Sequence, residues 1–170
     1  MAREKNLRNK GRALLLLLAA VLLLPSCDGS LVHSYRSTGG VWHKGDTILF
    51  FDSLLYETTS PIGLFAEVRC SAAYPYKDLW LQVEVLSADS AYLFLRDTVC
   101  CAIYDNDGRQ NGVTAGILYQ SEHYAASLKI PSYTPFEVRL THLMNDTLLH
   151  GIYDVGIRLG PPCRHLSAGK

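Results

Sequence analysis

Of the five cysteines in this chain, Cys27 stands in a setting that predicts its chemistry. It closes the run Leu24-Pro25-Ser26-Cys27: an aliphatic residue, a tolerated residue, a small residue, then Cys. This is the pattern of a bacterial lipobox. The small residue fits a signal peptidase, and the Cys27 thiol is the atom that takes a diacylglyceryl group. Upstream, Arg3, Lys5, Arg8, Lys10 and Arg12 give a basic start, and residues 13–24 form an uncharged run of 12 Leu, Ala and Val residues. About 20 apolar residues are needed for a permanent membrane span, so this run has signal-peptide length. The sequence predicts an exported lipoprotein with a signal peptide at 1–26 and a lipidated Cys27. Each buried acyl CH₂ contributes about 0.8 kcal/mol, so several chains on one residue give a firm anchor.

The other titratable groups form no catalytic set. Cys70, Cys100, Cys101 and Cys163 lack the Cys-x-x-Cys spacing of a zinc site. Cys100 and Cys101 are adjacent in an expected strand, so their side chains should point to opposite faces, and pairing among the four is left open. Export makes disulfides possible, and buried free thiols are the default reading. His33, His43, His123, His142, His150 and His165 are scattered, with no His-x-His pair. The loop Asp105-Asn106-Asp107-Gly108 invites a calcium reading. Counted from Asp105, however, the sixth residue of an EF-hand loop would be Gln110 and the twelfth Gly116, so a tight turn is expected instead. No Gly-x-Ser-x-Gly elbow is present. No enzyme activity, cofactor or metal is expected.

The signal carries 5 of the 16 basic residues and 1 of the 16 acidic ones, leaving the mature chain with 11 basic, 15 acidic and a net charge of −4. No basic cluster survives, which argues against a nucleic-acid partner. The 144 residues from Cys27 onward suffice for one domain. Residues 28–40 read as a polar tether of at most about 45 Å. Strands are expected at 47–51, 64–70, 79–86, 91–103, 136–143 and 152–159. In 79–86, Leu79, Leu81, Val83 and Val85 face one way while Gln82 and Glu84 face the other. Turn residues separate these runs. Residues 121–129 could form a turn or two of helix. The expectation is an all-β chain with a single antiparallel β-sandwich, immunoglobulin-like or jelly-roll-like, over 41–165, after the tether at 27–40 and before a tail at 166–170.

Three segments carry a likeness to a known family. They are Trp42-His43-Lys44-Gly45-Asp46-Thr47 leading into ILFF, the stretch LFAEVRCSAAYPYKDLWL at 64–81, and GIYDVGIRL at 151–159. With the lipobox, the chain resembles the gliding-motility lipoprotein GldH family of Bacteroidetes. The likeness covers most of the mature chain, and 74–80 is its most specific tract. It implies a cell-envelope accessory of surface gliding or the associated secretion apparatus, acting through protein contacts rather than catalysis. The four downstream cysteines are not part of the family pattern, and 104–119 matches it only loosely.

Two surface features could carry function. Tyr74, Tyr76 and Trp80 flank a turn at Pro75, where aromatic side chains can be presented to a protein partner or to sugar rings. Five Asp residues precede Ser or Thr and then a hydrophobic residue, which looks like the O-glycosylation motif of exported Bacteroidetes proteins. The candidate acceptors are Thr47, Ser53, Ser90, Thr98 and Thr147. The leading expectation is a non-enzymatic envelope lipoprotein, lipid-anchored in the outer membrane, with envelope proteins as partners. The alternative is a glycan-binding surface lipoprotein of a polysaccharide-capture system. A lipid-anchored hydrolase ranks last.

Overall fold

The computed structural model of the chain describes residues 30–54 and 60–161. The signal peptide, Cys27, Cys163 and His165 lie outside the described residues. Eleven strands are described: β1 (Val32–Ser37), β2 (Val41–His43), β3 (Ile48–Ser53), β4 (Ile62–Cys70), β5 (Asp78–Ser87), β6 (Leu93–Ala102), β7 (Val113–Ala115), β8 (Leu118–Leu128), β9 (Pro135–His142), β10 (Leu148–His150) and β11 (Ile152–Gly160). They form a five-stranded sheet in the order β1-β11-β4-β8-β7, a four-stranded sheet in the order β3-β9-β5-β6, and a two-stranded ribbon, β10-β2. All the pairings are antiparallel.

Alternation by two explains the sandwich. Leu79, Leu81, Val83 and Val85 of β5 are fully buried, as are Phe136, Val138 and Leu140 of β9. They meet Leu64, Ala66 and Val68 of β4 and Val155, Ile157 and Leu159 of β11 in one core. Removing a Leu or Val side chain of this size from water stabilises the fold by roughly 1.5–3 kcal/mol. The expected antiparallel all-β sandwich is the observed architecture.

Two expectations are corrected. Residues 32–37 were expected within the tether, yet they form β1, an edge strand paired along its length with β11 from Val32↔Leu159 to Ser37↔Asp154. Leu31 extends the ladder, its N–H donating to Leu159 O at 2.7 Å. Residues 121–129, expected to allow a helical turn, lie mostly in β8, because Leu128 to Tyr119 must pair with β4 to cover its second edge.

The strands run between two ends. At one end the chain reaches β1, and the end of β3, the start of β4 and the β5–β6 and β8–β9 connections gather there. We term it the tether end. The opposite, far end carries the β10-β2 ribbon, the 71–77 turn and the loop at 103–112.

Candidate functional site

The far end contains the aromatic turn. Ser71 N–H donates to Gly151 O (2.9 Å) and Tyr74 N–H to Ser71 O (3.2 Å), closing the chain between β4 and β5. Tyr74 does not face outward as expected. It is 2 % exposed, and its hydroxyl donates to Asp78 O at 2.9 Å. Burial raises its pKa. Tyr74 is a core residue whose hydroxyl needs the Asp78 carbonyl because buried polar atoms must be paired. Tyr76 packs edge-on against it, with centroids 5.8 Å apart, and stays 37 % exposed. The Tyr76 hydroxyl faces Asp146, whose carboxylate raises the phenol pKa.

Trp80 is 46 % exposed on the outer face of the four-stranded sheet. Its cross-strand partner is Cys100 on one side, and on the other Leu143 N–H donates to Trp80 O at 2.8 Å. Leu143 is 45 % exposed and Cys100 is also exposed. The next row holds Thr141, Gln82 and Thr98, so an apolar row is bordered by polar side chains. Trp80 and Tyr76 therefore remain surface aromatics. Sequence reasoning missed Leu143 and Cys100, which join Trp80 only through strand register.

The outer face of the five-stranded sheet holds a second cluster that no local motif announces. His33 Nε2 lies 2.7 Å from a Glu67 carboxylate oxygen, and Glu67 sits directly across from Glu122. Arg158 donates twice to Glu122, at 2.5 and 2.8 Å, and its guanidinium stacks 3.9 Å above Phe65. These hydrogen bonds hold Glu122 below the usual carboxyl range, against its partial burial. Arg69 stacks 3.9 Å from the Tyr35 ring, donates to Gln120 at 2.9 Å and lies 3.9 Å from Asp154. Tyr35 can lie flat only because residue 156 is Gly; a Cβ there would come within 2.7 Å of the ring. Glu67 is consequently 3 % exposed although it faces away from the core. The cluster is a layer of paired charges and stacked rings. His33 and Glu67 thus form an imidazole–carboxylate pair within this layer.

The remaining candidates are placed as follows. Thr47, Ser90, Thr98 and Thr147 are exposed, and Ser53 is partly so. Cys70 and Cys101 are buried free thiols, whose burial pushes their pKa up to about 11 and about 12. In the 105–108 turn, Asp105 accepts from the N–H groups of Asp107 and Arg109 at 2.8 Å each, so this carboxylate caps backbone. Among the described residues, no three His, Cys, Asp or Glu are placed to hold a metal ion. His142 is 2 % exposed, lies edge-on to Trp42 at 5.2 Å, and has neither ring nitrogen hydrogen-bonded.

The model of the family described as GldH lipoprotein matches residues 30–159, from just before β1 almost to the end of β11. The chain belongs to the GldH lipoprotein family. A relative from Flavobacterium johnsoniae, named gliding motility lipoprotein GldH, is 30% identical over 162 residues, covering 90% of this chain and 96% of its own. The GldH family match thus includes both the Tyr76–Trp80 surface and the charged cluster built on Glu67. Among solved structures, one of infectious bursal disease virus, Gx strain, aligns with 84% of this chain and 37% of its own at 13% identity and a TM-score of 0.29.

Proposed function

We propose that this chain is a non-enzymatic lipoprotein of the cell envelope, held in the outer membrane through lipid on Cys27, which supports gliding motility or its associated secretion apparatus by binding other envelope proteins. The observation that carries the reading is the alignment with the gliding motility relative along nearly the full length of both chains. The contact surface is the far-end row of Trp80 and Leu143 together with Tyr76. Exposed aromatic residues within a polar border are what protein interfaces favour. The paired state of His33, Glu67, Glu122 and Arg158 supports a structural rather than a catalytic role for that cluster.

The test is complementation of a deletion strain, combined with affinity purification of the native lipoprotein from crosslinked membranes. Wild-type protein should restore surface spreading and bring down envelope proteins. The Trp80→Ala variant should remain in the membrane fraction yet lose that capture. Spreading unaffected by the deletion would overturn the gliding role, and unchanged capture by Trp80→Ala would overturn the contact surface. We also infer that one or more of Thr47, Ser53, Ser90, Thr98 and Thr147 carries glycan, supported by their surface positions. An intact mass of the native protein equal to lipid plus polypeptide would overturn it.

A further inference from the structure

Only Asp28, Gly29 and Ser30 separate Cys27 from Leu31, whose N–H is already bonded into the five-stranded sheet. Four residue steps reach at most about 14 Å. A lipid on Cys27 therefore holds the tether end of the sandwich against the bilayer.

What that end presents is unusual for a water-facing surface. Leu31 is 43 % exposed, Tyr92 63 %, Leu93 43 % and Tyr133 71 %. Beside Tyr92 lies a cleft of about 480 Å³, lined also by Asp89, Phe94, Lys129, Pro131 and Thr134. The two loops that form it are bound together, Ala88 N–H donating to Pro135 O at 3.0 Å. Tyr92 is fixed through its N–H to Ser87 Oγ (2.9 Å) and its carbonyl, which accepts from Ser87 N–H (2.8 Å). Tyr133 has φ +57°, and with Ser90 it is one of the two non-glycine residues at positive φ among the described residues. A glycine would relieve that backbone at no steric cost; a bulky ring kept there is held out from the end of the sandwich.

We propose that this end docks on the membrane surface, with Tyr92, Tyr133, Leu31 and Leu93 in the headgroup layer and the Lys129 ammonium among the phosphates. The inference rests on lipidation of Cys27. Tyr rings favour the boundary between hydrocarbon and water because they have an apolar body and a polar tip, and Lys side chains extend their charge to the same level. The side of the domain near β1 is the other surface the short tether could lay down, but the exposed residues of β1 are His33, Arg36 and Ser37, which give a cation for phosphates and no apolar side chain for the headgroup layer.

The experiment uses the full lipidated protein in phosphatidylcholine vesicles, with and without bromine on the acyl chains next to the headgroups. In Tyr133→Trp the added indole emission should fall about twofold or more on brominated lipid, because an indole at that depth touches the quencher. The unsubstituted protein, reporting Trp42 and Trp80 from the far half, should be unquenched, and so should a Tyr76→Trp control. Tyr92→Trp gives the second reading should Tyr133→Trp fold poorly. Protein that incorporates into vesicles but shows no quenching at either position overturns the docking while leaving the anchor intact. Equal access of the new indole to aqueous iodide on and off the vesicle does the same, and marks the cleft as open to a soluble ligand such as a saccharide. Protein that fails to incorporate overturns the anchor and the docking together.

Discussion

The Cα of Gly151 lies against the backbone of Tyr74, so close that a Cβ on residue 151 would stand 2.6 Å from both the nitrogen and the Cα of Tyr74. The glycine also has φ +90°. This contact joins the corner between β10 and β11 to the aromatic turn between β4 and β5, and it is what turns Tyr74 into the core. Gly151→Ala should cost roughly 2–3 kcal/mol, part from the left-handed backbone and part from a clash that no side-chain motion can relieve. The melting temperature of the soluble domain should fall by roughly 5–12 °C. An unchanged melting temperature would show that the corner can move away from Tyr74.

Tyr74 and Trp80 should respond in opposite ways to truncation. Tyr74→Ala opens a buried cavity and leaves the Asp78 carbonyl without its phenol donor, a loss of roughly 3–5 kcal/mol by analogy with other buried aromatics. Trp80→Ala, on the exposed face, should change stability by no more than about 1 kcal/mol while reducing partner capture. Paired denaturation curves and pull-downs check both. A Trp80→Ala protein as unstable as Tyr74→Ala would make Trp80 a packing residue.

Much of this fold was legible in the residues. β5 and β9 show alternation because their apolar residues line the core while the polar ones face outward, and both were anticipated within a residue or two. β1 was hidden because only Val32 among its six residues is deeply buried, while His33 and Tyr35 belong to a charged outer layer whose partners lie on β4 and β11. β8 was obscured by its Ala, Glu and Ser content, which local propensity reads as neutral and pairing with β4 overrides. Tyr74 was misplaced for a similar reason: a proline turn suggests exposure, but a glycine 77 positions later in the chain decides burial. The Glu67 cluster depends on register across four strands, which composition does not encode.

Burial lowers the pKa of His142, the larger effect, and Lys44 acts the same way, while backbone contacts at Trp42 and His43 and the Asp146 carboxylate act against it. A folded-state pKa below the unfolded value near 6.5 means that the unfolded chain takes up the proton first as pH falls. The stability contributed by neutral His142 is thus complete above pH 6.5 and is lost as pH falls from there toward the folded-state pKa. The loss has a slope no steeper than about 1.4 kcal/mol per pH unit. His142→Phe, which keeps a ring edge-on to Trp42, should flatten the decline in urea midpoint between pH 7 and pH 5. His123 is shifted in the same direction by burial, so some decline should remain. A variant with the parental pH profile would exclude His142 as the source.

Arg158→Ala should remove both hydrogen bonds to Glu122, expose Phe65 and leave two carboxylates facing each other across β4 and β8. The expected cost is about 1–2 kcal/mol, since Glu122 is more than a third exposed and solvent screens the charge left behind. Adding Glu122→Gln should recover part of it, and a double-mutant cycle measures the coupling. Full additivity would mean that Arg158 acts only as a cover for Phe65.

Cys100 should be the thiol in the 30–161 region that reacts with a maleimide under native conditions, because it is exposed while Cys70 and Cys101 are buried. In a Cys27→Ala, Cys163→Ser background, mass spectrometry should show one adduct on the folded domain and three after unfolding. Rapid native labelling at Cys70 would show that the far end opens.

The pairing of β1 with β11 also has a mechanical meaning. A load applied through a lipid at Cys27, with a partner holding the far end, pulls along the strand axes. The rungs of a six-residue ladder then resist together in shear instead of peeling one by one. Under such a load, the first strand would be a grip as well as an edge. Single-molecule pulling between residue 30 and the far end should accordingly need more force than pulling the same strand sideways off the sheet.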